Sequence, residues 1–324
     1  MASVFLLSAA HAGPERAFLD LEQLRTCARL DRFAIHSAAE RPDDADLLMF
    51  VETSGHAGHY FEQVRRHPEY RARPAESYVF CSTDRIIPML PGVYAGVERS
   101  WYWPSWTRPS HYLGVRERGH LRYSSDHEDR TYLFSFIGAT KSHPLRQRLM
   151  SIEHPNALMV DTQAGPLDPG SLTREEYEQR YADSIKKSAF ILCPRGGGPS
   201  SFRLFEAMML GRVPVIVSDQ WVAPTGPDWD SFSLRIKEAD VRSIASVLEE
   251  RSSEAHRMGV LAREAWLAWF SETASFHRVV EWTLELSASA PARAGIRRYA
   301  SHLQLLRPYH SARWLAKKLG HGRR

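Results

Sequence analysis

Residues 188–219 constrain this chain more than any other stretch. They read Ser188-Ala-Phe-Ile-Leu-Cys-Pro-Arg-Gly-Gly-Gly-Pro-Ser-Ser-Phe-Arg-Leu-Phe-Glu-Ala-Met-Met-Leu-Gly-Arg-Val-Pro-Val-Ile-Val-Ser-Asp219. An apolar strand from Phe190 to Cys193 runs into a glycine turn. A helix opens at Ser200 and Ser201 and stops at Gly211, and a second apolar strand, 213–217, follows. Glycines let the backbone approach a ligand closely. The free N–H groups and positive dipole end of a helix start suit a phosphate. Arg195 and Arg203 add positive charge, and Glu206 can accept hydrogen bonds from sugar hydroxyls. The pattern describes a nucleotide-sugar site built from Arg195, Gly196, Gly197, Ser200, Ser201, Arg203 and Glu206. It is not a P-loop, because the Gly-Lys-Ser/Thr ending is missing, nor a dinucleotide fingerprint, because Ser201 stands where the last glycine is required. The plainer readings are a tight connection without a ligand, and a simple pair between Arg203 and Glu206, which lie three apart on one helix face.

The rest of the chain alternates strands and helices, the pattern of parallel sheets covered by helices. Strands are expected at 3–8, 46–52 and 77–81, with helices near 17–30 and 60–71. Residues 98–128, rich in Trp, Tyr, Arg, Ser and Pro, read as the stretch between two domains. A second series has strands at 131–137, 157–161 and 232–236. Its helices begin at 145 and span 173–187, 240–251, 253–270 and 273–287, and Thr173 with Glu176 forms a capping box. The expected domains are 1–128, 129–290 and a basic helical tail, 291–324. Ligands of open parallel sheets bind at the carboxyl ends of the strands, where Gly138 to Pro144 also lies.

The segment 188–219 closely resembles the signature of the exostosin family, glycosyltransferase family 47. The resemblance extends through Trp229-Asp-Ser-Phe232. Weaker family-like stretches are Phe136-Ile-Gly138 with Arg146, and His67-Pro-Glu-Tyr70 with 88–94. It implies a GT-B fold, with two Rossmann-like α/β domains facing a cleft and a C-terminal helix that can return to the first domain. It also implies an inverting transferase that moves a sugar from a nucleotide donor, a UDP-sugar, to a glycan or glycoconjugate. Gly138 and Arg146 join the donor site on this reading. A catalytically inactive relative that binds a glycan or nucleotide and works through a partner is the alternative.

An inverting transfer needs a base to take the acceptor hydroxyl's proton. The first domain offers His56 and His59, in the small-residue turn after strand 46–52, and Asp84 after strand 77–81. Each is also an ordinary capping or hydrogen-bonding residue. No metal or cofactor is expected, because Asp44-Ala-Asp46 precedes its strand where a metal-holding pair should follow one. Arginines and a helix start can neutralise a leaving diphosphate instead.

Nine Lys/Arg and no acid lie in 291–324, so setting the tail aside turns the net charge of +4 into −5. The basic balance therefore belongs to the tail, which argues against a nucleic-acid partner for the folded body. The tail's apolar and basic residues suit either a helix on an anionic membrane or one packed on the first domain. Cys27, Cys81 and Cys193 form no disulfide framework and read as core thiols in a reducing compartment. No stretch of 18 apolar residues exists, and the short apolar start, 3–8, reads as a strand rather than a signal peptide. The expectation is a cytoplasmic protein, peripheral to a membrane if the tail binds lipid.

Overall fold

A computed structural model describes residues 1–10, 18–52, 60–82, 84, 88–124, 130–163, 172–289 and 315. The chain forms two compact units, Met1–Leu113 with Glu272–Arg324, and Gly114–Ser271.

In the first unit, β1 (Ser3–Leu7), α1 (Leu19–Arg29), β2 (Ser37–Ala38) and β3 (Leu47–Glu52) are followed by α2 (Tyr60–Arg66) and α3 (Pro68–Ala72). Then come β4 (Ser77–Cys81), β5 (Gly92–Tyr94) and β6 (Thr107–Pro109). All pairings are parallel, in the order β2-β1-β3-β4-β5-β6. β3 is buried at every position, which is why it reads as an unbroken apolar run rather than an alternating one. The helix expected over 60–71 is two helices. Pro68 has no N–H to continue α2, so it starts α3 instead, with the His67 ring accepting from the Glu69 N–H.

In the second unit, β7 (Tyr132–Ile137), α4 (Pro144–Leu149), β8 (Ala157–Val160), α5 (Arg174–Lys186) and β9 (Ser188–Pro194) lead into α6 (Phe202–Met209). β10 (Val213–Val217), α7 (Trp229–Phe232), β11 (Leu234–Arg235), α8 (Ile244–Glu250) and α9 (Ala255–Trp269) complete it. This sheet is also wholly parallel, in the order β11-β10-β9-β7-β8. Phe134, Phe136, Phe190, Leu192, Val213 and Val215 fill its core with Leu145 and Leu149 of α4 and Ile244 and Leu248 of α8, all fully buried. Each such side chain contributes about 1.5–3 kcal/mol by leaving water. The capping box on Thr173 and Glu176 forms as its spacing predicts.

The chain then returns to the first unit as α10 (Glu272–Ala288), which packs on α1, β5 and β6. Gln23 donates to Glu272 at 2.8 Å, His111 Nε2 meets Ser275 Oγ at 2.8 Å, and Arg108 Nε donates to Glu285 at 2.8 Å. Burial lowers the His111 pKa to about 3, so its ring stays neutral in this contact. The domain division expected at 129 and 290 therefore shifts to 113/114 and 271/272. The stretch 98–128 is no simple connection either, because 107–109 forms the edge strand β6. Its Pro109 suits an edge, where a missing N–H costs no ladder bond. Of the tail, only Leu315 lies among the described residues.

The expectation of two Rossmann-like α/β domains is met. In both sheets the first strand lies between the second and the third, so the winding reverses beside β1 and β3, and beside β7 and β9. Ligands of such sheets bind outside the carboxyl ends of the strands at that reversal.

Candidate functional site

The loops at the reversal of the second sheet are 138–143 after β7 and 195–201 after β9, the two regions that sequence singles out. Arg195 N–H donates to Val217 O at 3.1 Å, which carries the β9–β10 pairing into the start of the glycine turn. Beneath the two loops lies Arg146, 7% exposed. It donates from Nε to Arg195 O (3.0 Å), from Nη1 to Ala139 O (3.1 Å) and from Nη2 to Pro194 O (3.3 Å). A Cβ on Gly196 would stand 2.9 Å from Nη2. Arg146 thus holds both loops to one base, with its guanidinium fixed below them rather than as a free arm.

Ser201 is the residue before α6, and its side chain makes no capping bond. Ser200 and Ser201 are 4% and 7% exposed, and neither Oγ has a hydrogen-bond partner among the described residues. Two buried hydroxyls left open at a helix start are each able to donate to an acceptor beside the helix N–H groups.

Arg203 is the second residue of α6. Its Nε donates to Ile137 O at 2.5 Å and its guanidinium lies 5.1 Å from the centre of the Phe136 ring. It also lies against Gly138, where a Cβ would come 2.2 Å from Nη2. Arg203 does not pair with Glu206 as its simple helix-face reading would have it. Glu206 is half-buried, and its Oε2 accepts from the Tyr181 hydroxyl at 2.5 Å. Burial raises its pKa, while the Tyr181 bond and the charges of Arg203 and Arg118 pull the other way. Oε1 makes no hydrogen bond among the described residues.

The remaining charge was not legible in the sequence. Arg195 Nη1 is 3.8 Å from Glu238 Oε1, which also accepts from the Asp219 N–H beyond β10, while the Glu238 N–H donates to Asp219 Oδ1. His143, before Pro144, accepts from the Leu145 N–H at 3.2 Å, and burial, then the charge of Arg195, holds its pKa below the ordinary value. Tyr181 stacks with Tyr177, ring centres 6.2 Å apart. The one available signal was their position four apart on α5, which puts both on one face.

At the reversal of the first sheet the prominent group is Glu52, the last residue of β3, which the sequence marks only as a strand end. It is 3% exposed. Oε1 accepts from the Ala9 N–H at 2.8 Å and Oε2 from Ser8 Oγ at 3.3 Å. Burial nonetheless raises its pKa to about 7. Asp84 lies beyond β4 and accepts from the Tyr112 hydroxyl at 2.5 Å. His56 and His59 lie outside the described residues.

The family model for the Exostosin GT47 domain matches residues 93–251, which takes in β7 to α8 and every residue expected at the donor site. Residues 93–251 belong to the exostosin GT47 family. The chain is 37% identical over 81 residues to an exostosin-1 homolog of Caenorhabditis elegans, covering 24% of this chain and 21% of that protein. It is 42% identical over 71 residues to a probable glucuronoxylan glucuronosyltransferase of Arabidopsis thaliana, covering 21% and 15%. The chain therefore matches about a fifth or less of these relatives' own lengths. Among solved structures it is similar to TarM, at 10% identity and a TM-score of 0.45 over 82% of this chain and 58% of that one. The similarity to Anabaena HepE in complex with UDP is 9% in identity, with a TM-score of 0.37 over 90% and 100%.

Proposed function

We propose that the chain is an inverting glycosyltransferase that moves a sugar from a UDP-sugar to a hydroxyl of a glycan or glycoconjugate. One observation carries this reading: the buried, open hydroxyls of Ser200 and Ser201 at the start of α6, set at the sheet reversal beside Arg195 and Arg203. The diphosphate lies in that cradle. Glu206, through its open oxygen, takes the ribose hydroxyls. The charge that grows on the leaving diphosphate is met by arginines and helix N–H groups, so the donor site itself calls for no cation. The names of the relatives, exostosin and glucuronosyltransferase, favour a nucleotide-activated sugar.

On the acceptor side Glu52 is the base. A carboxylate that titrates near neutrality can take a proton from an attacking hydroxyl. The oxygen then bonds to the anomeric carbon as the bond to the diphosphate breaks, and that electron pair leaves with UDP. Asp84 is the second choice for this role, and it is already committed to Tyr112. The free, buried cysteines agree with a reducing cytoplasmic setting, and the nine basic residues of the tail suit an anionic membrane surface.

Calorimetry with UDP tests the central claim. The full chain binds UDP, Arg195→Ala weakens that binding roughly ten- to a hundredfold, as loss of a charged hydrogen bond of about 1.5–3 kcal/mol requires, and inorganic phosphate competes. UDP affinity unaffected by the substitution in a folded protein removes the reading.

A further inference from the structure

Two histidines and a glutamate that transfer does not use meet in the first unit. His36 precedes β2 at the amino end of β1. The Ala2 N–H donates to its Nδ1 at 3.2 Å, which leaves Nε2 as the outward nitrogen, 2.6 Å from Glu281 Oε1. His277 and Glu281 are four apart on α10, so they share a face. His277 is 5% exposed, and its Nδ1 is buried without a hydrogen-bond partner among the described residues. Its ring is stacked on Phe33 with centres 4.1 Å apart, which fixes its plane. One ligating atom from each of the three residues lies within 4.8 Å of the others, and the Glu281 side chain is 46% exposed, so water reaches the group.

A buried ring nitrogen with nothing to bind is costly, and the ring that carries it lies 5.1 Å, centre to centre, from the His36 ring. We propose that His36, His277 and Glu281 bind a zinc ion, with water as the fourth ligand. Two imidazoles and one carboxylate form a ligand set suited to zinc. Arg32 and Arg278 lie over the Phe33 ring, at 4.9 and 4.8 Å. Their positive charge opposes every divalent cation alike, so the choice of ion rests on the ligands: calcium and magnesium depend on several oxygens, whereas this set offers two imidazole nitrogens and one carboxylate. The site is at the amino ends of β1 and β2, opposite the end of the sheet that carries Glu52. Its role is to clip α10 to the sheet edge, where the chain rejoins the first unit after completing the second. Nothing in the sequence pointed to it, since His36 and the i, i+4 pair on α10 lie far apart in the chain.

The test uses the full chain stripped of metal by chelator and titrated with Zn²⁺ against a chromophoric competitor. One equivalent is expected to bind, to raise the melting temperature, and to be unmoved by excess Mg²⁺ or Ca²⁺. Cobalt in its place is expected to show the visible absorption of a four-coordinate ion. Glu281→Gln keeps a partner for His36 on an exposed side chain, so the fold survives, and zinc affinity is expected to drop more than about tenfold, the loss typical even of an outer-shell partner. His277→Ala is expected to do the same. No binding, or an equivalent held equally well by both variants, overturns the proposal. Neither result bears on UDP binding, which is read separately.

Discussion

Arg203 leaves no room for a side chain at residue 138: a Cβ on Gly138 would lie 2.2 Å from Nη2 and 2.8 Å from Cζ. The guanidinium is held there by Ile137 O and the Phe136 ring. A glycine at the end of the first strand and an arginine in the first turn of α6 are thus one arrangement. Gly138→Ala is expected to cost about 1–3 kcal/mol of stability, the usual effect of overpacking, and to weaken UDP binding by displacing Arg203. In the Arg203→Ala background the same change is expected to cost little stability. A double-mutant cycle by denaturant unfolding measures the coupling, and additive losses refute the arrangement.

Ser200→Ala and Ser201→Ala are expected to move stability and binding in opposite directions. Each removes a buried hydroxyl that has no partner, so the melting temperature is expected to hold or rise. Each also removes a donor to the diphosphate, so UDP affinity is expected to fall about tenfold. Thermal unfolding and calorimetry on the same samples decide this. A fall in both marks the hydroxyls as structural.

Glu206→Gln is expected to weaken UDP binding while sparing inorganic pyrophosphate, because Glu206 is assigned to the ribose. Tyr181→Phe is expected to have a smaller effect in the same direction, since it frees Oε2 but loosens the carboxylate. Competition binding with pyrophosphate separates the two roles, and a parallel loss for both ligands places Glu206 at the diphosphate instead.

Glu52 gives a signed dependence on pH. Its folded pKa is about 7 against an ordinary value of 4.5, so the native state keeps a proton that the unfolded chain releases. Its contribution to stability is complete below pH 4.5 and is lost as pH rises through about 7, on the order of 3 kcal/mol in all. Glu52→Gln is expected to remove that slope and to stabilise the protein at pH 8. Transfer needs the opposite state: the wild-type rate is expected to climb to a plateau above about pH 7, and Glu52→Gln to lower kcat by about 10²–10⁴. A variant that is more stable yet fully active at pH 8 excludes Glu52 as the base.

The tail, with nine Lys/Arg and no acid, is expected to draw the protein to anionic vesicles at about 1 kcal/mol per cation near the surface. Truncation after residue 307 is expected to weaken flotation, most at low salt. Equal flotation of both forms, or unfolding of the shorter one, favours packing on the first unit.

By itself the sequence determined the class of fold and singled out the glycine turn as the candidate donor site. β3 and β9 are buried along their whole length, so their apolar runs declare parallel strands, and the glycine turn between β9 and α6 is contiguous, so its chemistry can be read in order. Thr173 and Glu176 were legible for the same reason, because a capping box acts within one turn. Interactions across long separations were not. That Arg146 secures both loops depends on carbonyls at 139, 194 and 195, and the raised pKa of Glu52 depends on how deeply the end of β3 is enclosed. The three-residue strands β5 and β6 carry too little pattern to be recognised without the neighbours that pair with them. The membership of α10 in the first unit was decided by tertiary packing, since its apolar face could bury against either sheet and the chain's connectivity does not say which. Short-range order is written in residue types, whereas burial and the meeting of His36 with His277 exist only once the whole chain has closed.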